Sequence, residues 1–198
     1  MTEAVIVDSG GANLASLQFA LERLGVRVRV SSDAREIAAA ARVVLPGVGS
    51  APDAMQRLRR CGLAELLPTL RQPVLGICLG MQLLFERSAE GMTECLGLLP
   101  GAVRRLDAVA GRPVPHMGWN QLAEVREDPL LTGIGPGEYF YFVHSYAVPA
   151  SAVTLAHVHY GEAVSAVVRR GNFWGTQFHP ERSASAGARL LGNFLRLT

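Results

Sequence analysis

The run Val74-Leu75-Gly76-Ile77-Cys78-Leu79-Gly80-Met81-Gln82 places a cysteine between an apolar strand and the start of a helix. Its first half follows Pro73 and has the composition of a buried strand. Its second half continues into Leu83-Leu84-Phe85-Glu86-Arg87, which reads as helix. Glycine stands two residues to either side of Cys78, the pattern of a nucleophile elbow. A turn this sharp packs backbone closely on both sides, where a β-carbon would clash. A helix start directs unpaired N–H groups and the positive end of its dipole at the sulfur. Such settings lower a cysteine pKa from about 8.5 to roughly 3.5–7.5. A cysteine in an apolar run is by default a packed core thiol, so the remainder of the chain has to supply a nucleophile's partners.

Working outward from the elbow, the preceding segments alternate strand and helix. Ala4 to Asp8 is a continuous apolar strand, Ser9 to Ala12 a turn, and Asn13 a cap for a helix reaching Leu24. Val26, Val28 and Val30 alternate with arginines, as in a strand near a sheet edge. A helix around Ala34 to Ala41, a strand at Val43 to Leu45 and a broken helical region from Ala51 to Leu70 follow. After Glu90 short strands dominate: Ala102 to Leu106, Val114 to His116, Gln121 to Val125, Tyr139 to Val143, Thr154 to His159, Ala163 to Val168 and Phe173 to Phe178. A helix over Ala186 to Leu195 closes the chain. The expected fold is α/β: a mostly parallel, doubly wound sheet with helices on both faces and a mixed or antiparallel strand extension. Residues 1–198 read as one domain.

Composition narrows the chemistry. With 49% hydrophobic residues the 198-residue chain can bury a sizeable core. No apolar run approaches the roughly 20 residues of a membrane helix, and the first residues lack a basic signal region. Three cysteines without a tight framework suit reduced thiols in the cytoplasm. A net charge of +2 is too small to imply nucleic acid. All 19 basic residues are arginine, which excludes Schiff-base chemistry, pyridoxal phosphate attachment and a Walker lysine. No cofactor is expected. His157 and His159 share a strand face, but no neighbouring Cys, Asp or Glu completes a ligand set, so no metal is expected either.

A cysteine nucleophile needs a base, and of five histidines His179 is best placed. It lies in Gly175-Thr176-Gln177-Phe178-His179-Pro180-Glu181, directly after a strand, and Pro180 biases it to an extended conformation. In extended chain His179 and Glu181 face the same way, so the carboxylate can hold one ring nitrogen while the other serves the thiol. Oxyanion donors are available from the N–H of Leu79, at the helix start, and that of Val48, in Pro46-Gly47-Val48-Gly49 at the carboxyl end of the neighbouring strand. Cys61 and Cys95 lack the elbow context. His116, within Pro115-His116-Met117-Gly118-Trp119-Asn120, reads either as part of a binding surface or as a strand end.

Gly76 to Gln82 together with Phe178-His179-Pro180-Glu181 resembles the class I glutamine amidotransferases. Leu45 to Gly49, Pro115 to Asn120 and Tyr141-Phe142-Val143-His144-Ser145-Tyr146 narrow the resemblance to the glutaminase subunits of imidazole glycerol phosphate synthase, over essentially the whole chain. The resemblance implies Cys78 as nucleophile, His179 as acid and base, Glu181 as its orienter, and Val48 and Leu79 at the oxyanion. It further implies Gly49, Gln82, Ser145 and Tyr146 around a bound glutamine. It also implies a cyclase partner that receives ammonia for histidine biosynthesis. Two departures stand out. The group's first loop usually reads Asp-Tyr-Gly-x-Gly-Asn-Leu, here Asp8-Ser9-Gly10-Gly11-Ala12-Asn13-Leu14. Arg182 replaces the usual lysine, with different donor geometry. The competing readings are the glutaminase of another pathway, which His116 to Asn120 argues against, and a noncatalytic doubly wound module, which the intact Cys78, His179 and Glu181 argue against.

Overall fold

The computed structural model describes residues 3–8, 10 and 14–198. Strand and helix alternate through the first half: β1 (Glu3–Val7), α1 (Ala15–Glu22), β2 (Arg27–Ser31), α2 (Ala34–Ala39), β3 (Arg42–Gly47), α3 (Ala51–Arg60), α4 (Leu63–Leu66), β4 (Val74–Cys78) and α5 (Leu79–Leu83). The expected Ser9 to Ala12 turn, apart from Gly10, and the Asn13 cap lie outside the described residues. The second half begins with β5 (Phe85–Ser88), β6 (Thr93–Glu94), β7 (Leu99–Arg105), β8 (His116–Gln121), β9 (Glu124–Val125) and β10 (Tyr139–His144). It ends with β11 (Tyr146–Ala147), β12 (Thr154–Tyr160), β13 (Glu162–Arg170), β14 (Phe173–Thr176) and α6 (Ala184–Phe194).

The central sheet has eight strands in the order β2-β1-β3-β4-β14-β13-β12-β9. The five from β2 to β14 run parallel, and β13, β12 and β9 extend them antiparallel. This is the mixed sheet expected from the change of rhythm after Glu90. β1 is apolar without alternation because both its faces are covered. Ala4 and Ile6 join a core with Leu17 and Leu21 of α1 and Leu190 and Phe194 of α6. Val5 and Val7 join the opposite core with Ile37, Leu58 and Leu63 of α2 to α4. β2, with its alternating arginines, is the sheet edge. Smaller sheets pair β10 with β8 and join β11-β7-β5-β6.

Several expected boundaries shift. The helix after Cys78 does not run through Arg87: α5 stops at Leu83, and Phe85–Ser88 is a strand paired in parallel with β7. The apolar run Leu83-Leu84-Phe85 offers no solvent face for a helix, and all three side chains are buried. The carbonyls that a longer helix would have used accept instead from the next segment. The N–H groups of Leu96, Leu98 and Gly97 reach the oxygens of Leu83, Leu84 and Phe85 at 2.9, 2.8 and 2.9 Å. The strand expected from Val114 begins at His116, and the strand expected over Gln121 to Val125 is divided between β8 and β9. α1 stops at Glu22, short of the expected Leu24, and Gly25 lies beyond it in the left-handed region at φ +81°.

Candidate active site

The elbow is built by three backbones in close contact. In the sheet register Cys78 is paired with Gly47 at the carboxyl end of β3. A β-carbon on Gly76 would lie 2.7 Å from the oxygen of Gly80, and one on Gly47 would lie 2.4 Å from the nitrogen of Gly80. Cys78 has φ +54° and ψ −113°, a conformation that costs a non-glycine residue about 1–3 kcal/mol. Packing on both sides holds it there, at the boundary between the core and the pocket that it lines. Because α5 has only five residues, the field expected from a long helix reduces to the few N–H groups of its first turn, that of Leu79 foremost.

His179 comes from the far end of the chain. β14 lies beside β4, with Gly175 opposite Gly76 and Thr176 opposite Ile77, so the segment leaving β14 arrives next to the elbow. His179 is extended, at φ −97° and ψ 98°, as Pro180 requires. Glu181 reaches it by a different route from the one expected: Pro180–Arg182 is a single 3-10 turn, not extended chain. The turn is pinned to β10, since His179 N–H donates to the Tyr141 carbonyl at 3.0 Å and Tyr141 N–H donates to Ser183 Oγ at 3.0 Å. Nδ1 of His179 is 2.8 Å from Glu181 Oε1, and both side chains are largely buried. Burial pushes the His179 imidazole down, but the hydrogen bonds and charges of Cys78 and Glu181 outweigh it and raise it to about 10. Cys78 and Glu181 thus both favour the protonated ring.

Of the nine residues nominated from sequence, Val48, Gly49, Cys78, Leu79, Gln82, Ser145, Tyr146 and His179 line one pocket of about 390 Å³. Glu181 stands behind His179. The pocket also contains Glu90, Val143 and His144, which sequence reading did not nominate. Glu90 closes the side near α3, its carboxylate accepting from Ala51 N–H at 2.7 Å. No local pattern in the chain marks it. A more open hollow of about 600 Å³ along residues 125–136 holds none of the nominated residues.

Below the pocket floor runs a chain of hydrogen bonds whose direction is set by one carbonyl. The Tyr146 oxygen lies 2.8 Å from Gln82 Nε2 and 2.8 Å from His144 Nδ1. A carbonyl only accepts, so both nitrogens carry the proton. Gln82 Nε2 donates its other proton to Gln177 Oε1 at 3.0 Å, which turns the Gln177 amide nitrogen towards Cys78 Sγ at 3.9 Å. On the other side, His144 Nε2 must accept from His116 Nδ1 at 3.0 Å, and His116 Nε2 faces Asn120 Nδ2 at 3.4 Å. Burial pushes His116 down to about 4. Burial also pushes His144 down, to about 3, against the opposing pull of the Tyr146 carbonyl. Both rings are neutral. Of the two readings of His116, the strand end holds: it is the first residue of β8, buried and stacked between Phe142 at 4.9 Å and Tyr160 at 4.0 Å. Gln177 had a readable signal, since it precedes His179 by two residues in extended chain and so shares its side.

The β8–β10 pair sets Trp119 opposite Tyr141, with ring centroids 6.0 Å apart. The guanidinium of Arg182 lies 5.6 Å from the centroid of the Tyr141 ring. Met117, Trp119 and Tyr139 of this pair are exposed, as is Val48 in the pocket. Elsewhere His157 contacts His159 and lies 4.0 Å from Glu124, yet among the described residues no cluster of three groups could hold a metal ion. No described helix is long and apolar enough to cross a membrane.

Known proteins share the chain's sequence and fold. The model of the family "Glutamine amidotransferase class-I" matches residues 5–197. The imidazole glycerol phosphate synthase subunit HisH of Xanthomonas euvesicatoria is 56% identical over 198 residues, covering 100% of this chain and 99% of the relative. HisH of Xylella fastidiosa is 56% identical over 197 residues, covering 100% and 98%. Among solved structures, a glutamine amidotransferase aligns with a TM-score of 0.75 at 21% identity, covering 97% of this chain and 96% of that one. The glutaminase domain of Trypanosoma brucei CTPS aligns at 0.69 and 16% identity, over 100% and 95%; at these identities both speak to the fold alone. With its family model matched from end to end and its relatives more than half identical, the chain belongs to the class I glutamine amidotransferases, among the HisH glutaminase subunits of imidazole glycerol phosphate synthase.

Proposed function

We propose that Cys78, His179 and Glu181 hydrolyse the side-chain amide of glutamine in this pocket, and that the ammonia passes to a cyclase subunit bound over the pocket mouth. The observation that carries this reading is geometric: His179 lines the same pocket as Cys78 while its Nδ1 is held 2.8 Å from the Glu181 carboxylate. The thiolate attacks the amide carbon, and the charge developing on oxygen meets the N–H of Leu79 and that of Val48. As the C–N bond breaks, His179 gives its proton to the leaving ammonia. A water then adds to the thioester with His179 as base, the C–S bond breaks, and glutamate leaves. One oxyanion donor of this kind is typically worth about 2.7–4 kcal/mol.

The other pocket residues suit a small zwitterion. Gly49, Ser145 and Tyr146 offer backbone and hydroxyl donors for the substrate carboxylate. Gln82 spends both its protons inward and so can present only its Oε1. Glu90 supplies the anionic group that an α-ammonium needs. The cyclase covers the exposed row of Met117, Trp119 and Tyr139, with Arg182, clamped on Tyr141, at its border. Residues 1–198 act as one glutamine amidotransferase domain, in the cytoplasm, without a cofactor.

Co-purification with the cyclase, followed by glutamate release and ring closure assays on the complex, tests the reading. Glutamine-dependent synthesis by the complex is the expected result. A thiol at Cys78 that glutamine does not protect from alkylation would leave the noncatalytic module as the better description.

A further inference from the structure

The hydrogen-bond chain fixed by the Tyr146 carbonyl terminates on the reactive sulfur, at a residue outside the triad. We propose that Gln177 is a further catalytic residue, whose side-chain amide donates to the Cys78 thiolate and shares with His179 the holding of negative charge on sulfur. The inference rests on Cys78 being the nucleophile.

Gln177 has no exposed surface, and a buried amide without partners is costly. Its acceptor end is taken by Gln82 Nε2 at 3.0 Å. Reversing the amide would set two donors against each other there and an oxygen against the sulfur. Gln82 in turn cannot reverse, because the Tyr146 carbonyl at 2.8 Å demands a donor. The amide nitrogen of Gln177 therefore has one direction to face, and that direction holds Cys78 Sγ at 3.9 Å. The separation is long for the resting thiol, whose own proton points to the Val143 carbonyl at 3.8 Å. Catalytic hydrogen bonds of this kind tighten as charge develops.

The chemistry has a use for such a donor twice. In the first half-reaction sulfur is the nucleophile, and an aimed N–H increases the thiolate fraction. In the second, the C–S bond breaks and its electron pair returns to Sγ; one proton of the attacking water goes to His179 and the other to solvent as the new carboxylate ionises. A neutral donor stabilises the departing thiolate without competing for the proton that His179 must carry.

The test uses the full chain and iodoacetamide, with the alkylated cysteine identified by mass spectrometry. Gln177→Met removes the donor at similar volume, and Gln177→Glu keeps an acceptor for Gln82 while opposing an oxygen to sulfur. Both variants should alkylate Cys78 about tenfold more slowly at neutral pH. Their profiles should be displaced to higher pH with the alkaline plateau retained; a merely structural defect would scale the plateau without displacing the profile. In the wild-type chain, which needs no variant to fold, the Gln177 side-chain N–H resonances should move over the same pH range in which alkylation turns on. A profile that stays in place in folded Gln177→Met, or wild-type amide resonances indifferent to that range, overturns the inference. Wild-type Cys78 no more reactive than the exposed Cys61 would overturn the nucleophile assignment, and this inference with it.

Discussion

A β-carbon on Gly80 would stand 1.9 Å from the carbonyl oxygen of Leu45, because the first turn of α5 rests directly on the end of β3. The contact fixes the elbow against the strand that ends at Gly47 and leads into Val48. Gly80→Ala has to separate these two backbones. It should cost more than the roughly 1–3 kcal/mol of ordinary overpacking and abolish glutaminase activity. Gly135→Ala, where nothing lies within 4 Å of the new carbon, should stay within about 0.5 kcal/mol of wild type. Equal melting temperatures for the two variants would contradict the close contact.

The backbone of Cys78 leads to a second expectation. At φ +54° the residue sits where glycine is at ease and alanine is not. Cys78→Gly and Cys78→Ala should both lose glutamine hydrolysis. The glycine variant should nevertheless be the more stable by about 1 kcal/mol in denaturant unfolding, since only it relieves the turn. The reverse order of stabilities would mean that the elbow is not strained.

Loss of the thiol should leave ammonia-dependent synthesis by the cyclase complex intact, because Cys78 serves only ammonia release. Glu181→Gln should be milder than Cys78→Ala in steady-state glutaminase rate, as the carboxylate at 2.8 Å orients and charges His179 without touching substrate. Complete loss in a folded Glu181→Gln protein would assign Glu181 more than an orienting part.

Gly49, at φ +88°, adjoins the Val48 peptide and permits it to rotate at small cost. The chain alone should be a slow glutaminase that the cyclase, loaded with its ribonucleotide substrate, accelerates by roughly 10²–10³, the worth of one oxyanion donor. Glutamate release measured for the chain alone, with cyclase, and with cyclase plus ribonucleotide checks this. Full activity from the chain alone is the contrary outcome.

Stability should fall on both sides of neutrality for opposite reasons. Unfolded imidazoles take up protons near pH 6.5, whereas folded His116 and His144 wait until about 4 and about 3. Between those values the unfolded chain binds more protons, so stability rises with pH and is lost on acidification from 6.5. His179 works the other way. Raised to about 10, it keeps a proton that the unfolded chain releases, so its contribution is full below 6.5 and fades as pH climbs towards 10. Melting temperatures across pH 3–10 should show both declines, and His116→Phe, which preserves the stack on Phe142 and Tyr160, should flatten the acid one.

Much of this was legible in the chain. Apolar runs without alternation located β1 and β4, and glycines around Cys78 located the elbow, because buried parallel strands and tight turns leave local marks. The end of α5 was not legible: whether Leu84 and Phe85 continue a helix depends on carbonyl partners at Leu96 to Leu99, which only the folded chain supplies. The route from His179 to Glu181 failed similarly, since the turn at Pro180 is set by its bonds to β10. Glu90 and the His116–His144 pair have no periodic signature at all; their partners are distant in sequence, and a single polar residue in an apolar neighbourhood does not say which one it will meet.

The place of β14 in the sheet has one more consequence. It enters between β4 and β13, both of which precede it in the chain, and so fills a slot in the middle of the sheet rather than adding to an edge. During synthesis the thiol emerges about a hundred residues before the imidazole, and no partly made chain can bring them together. Contacts this far apart in sequence form late and slowly. A chain interrupted before His179 therefore carries the thiol without the imidazole that activates it.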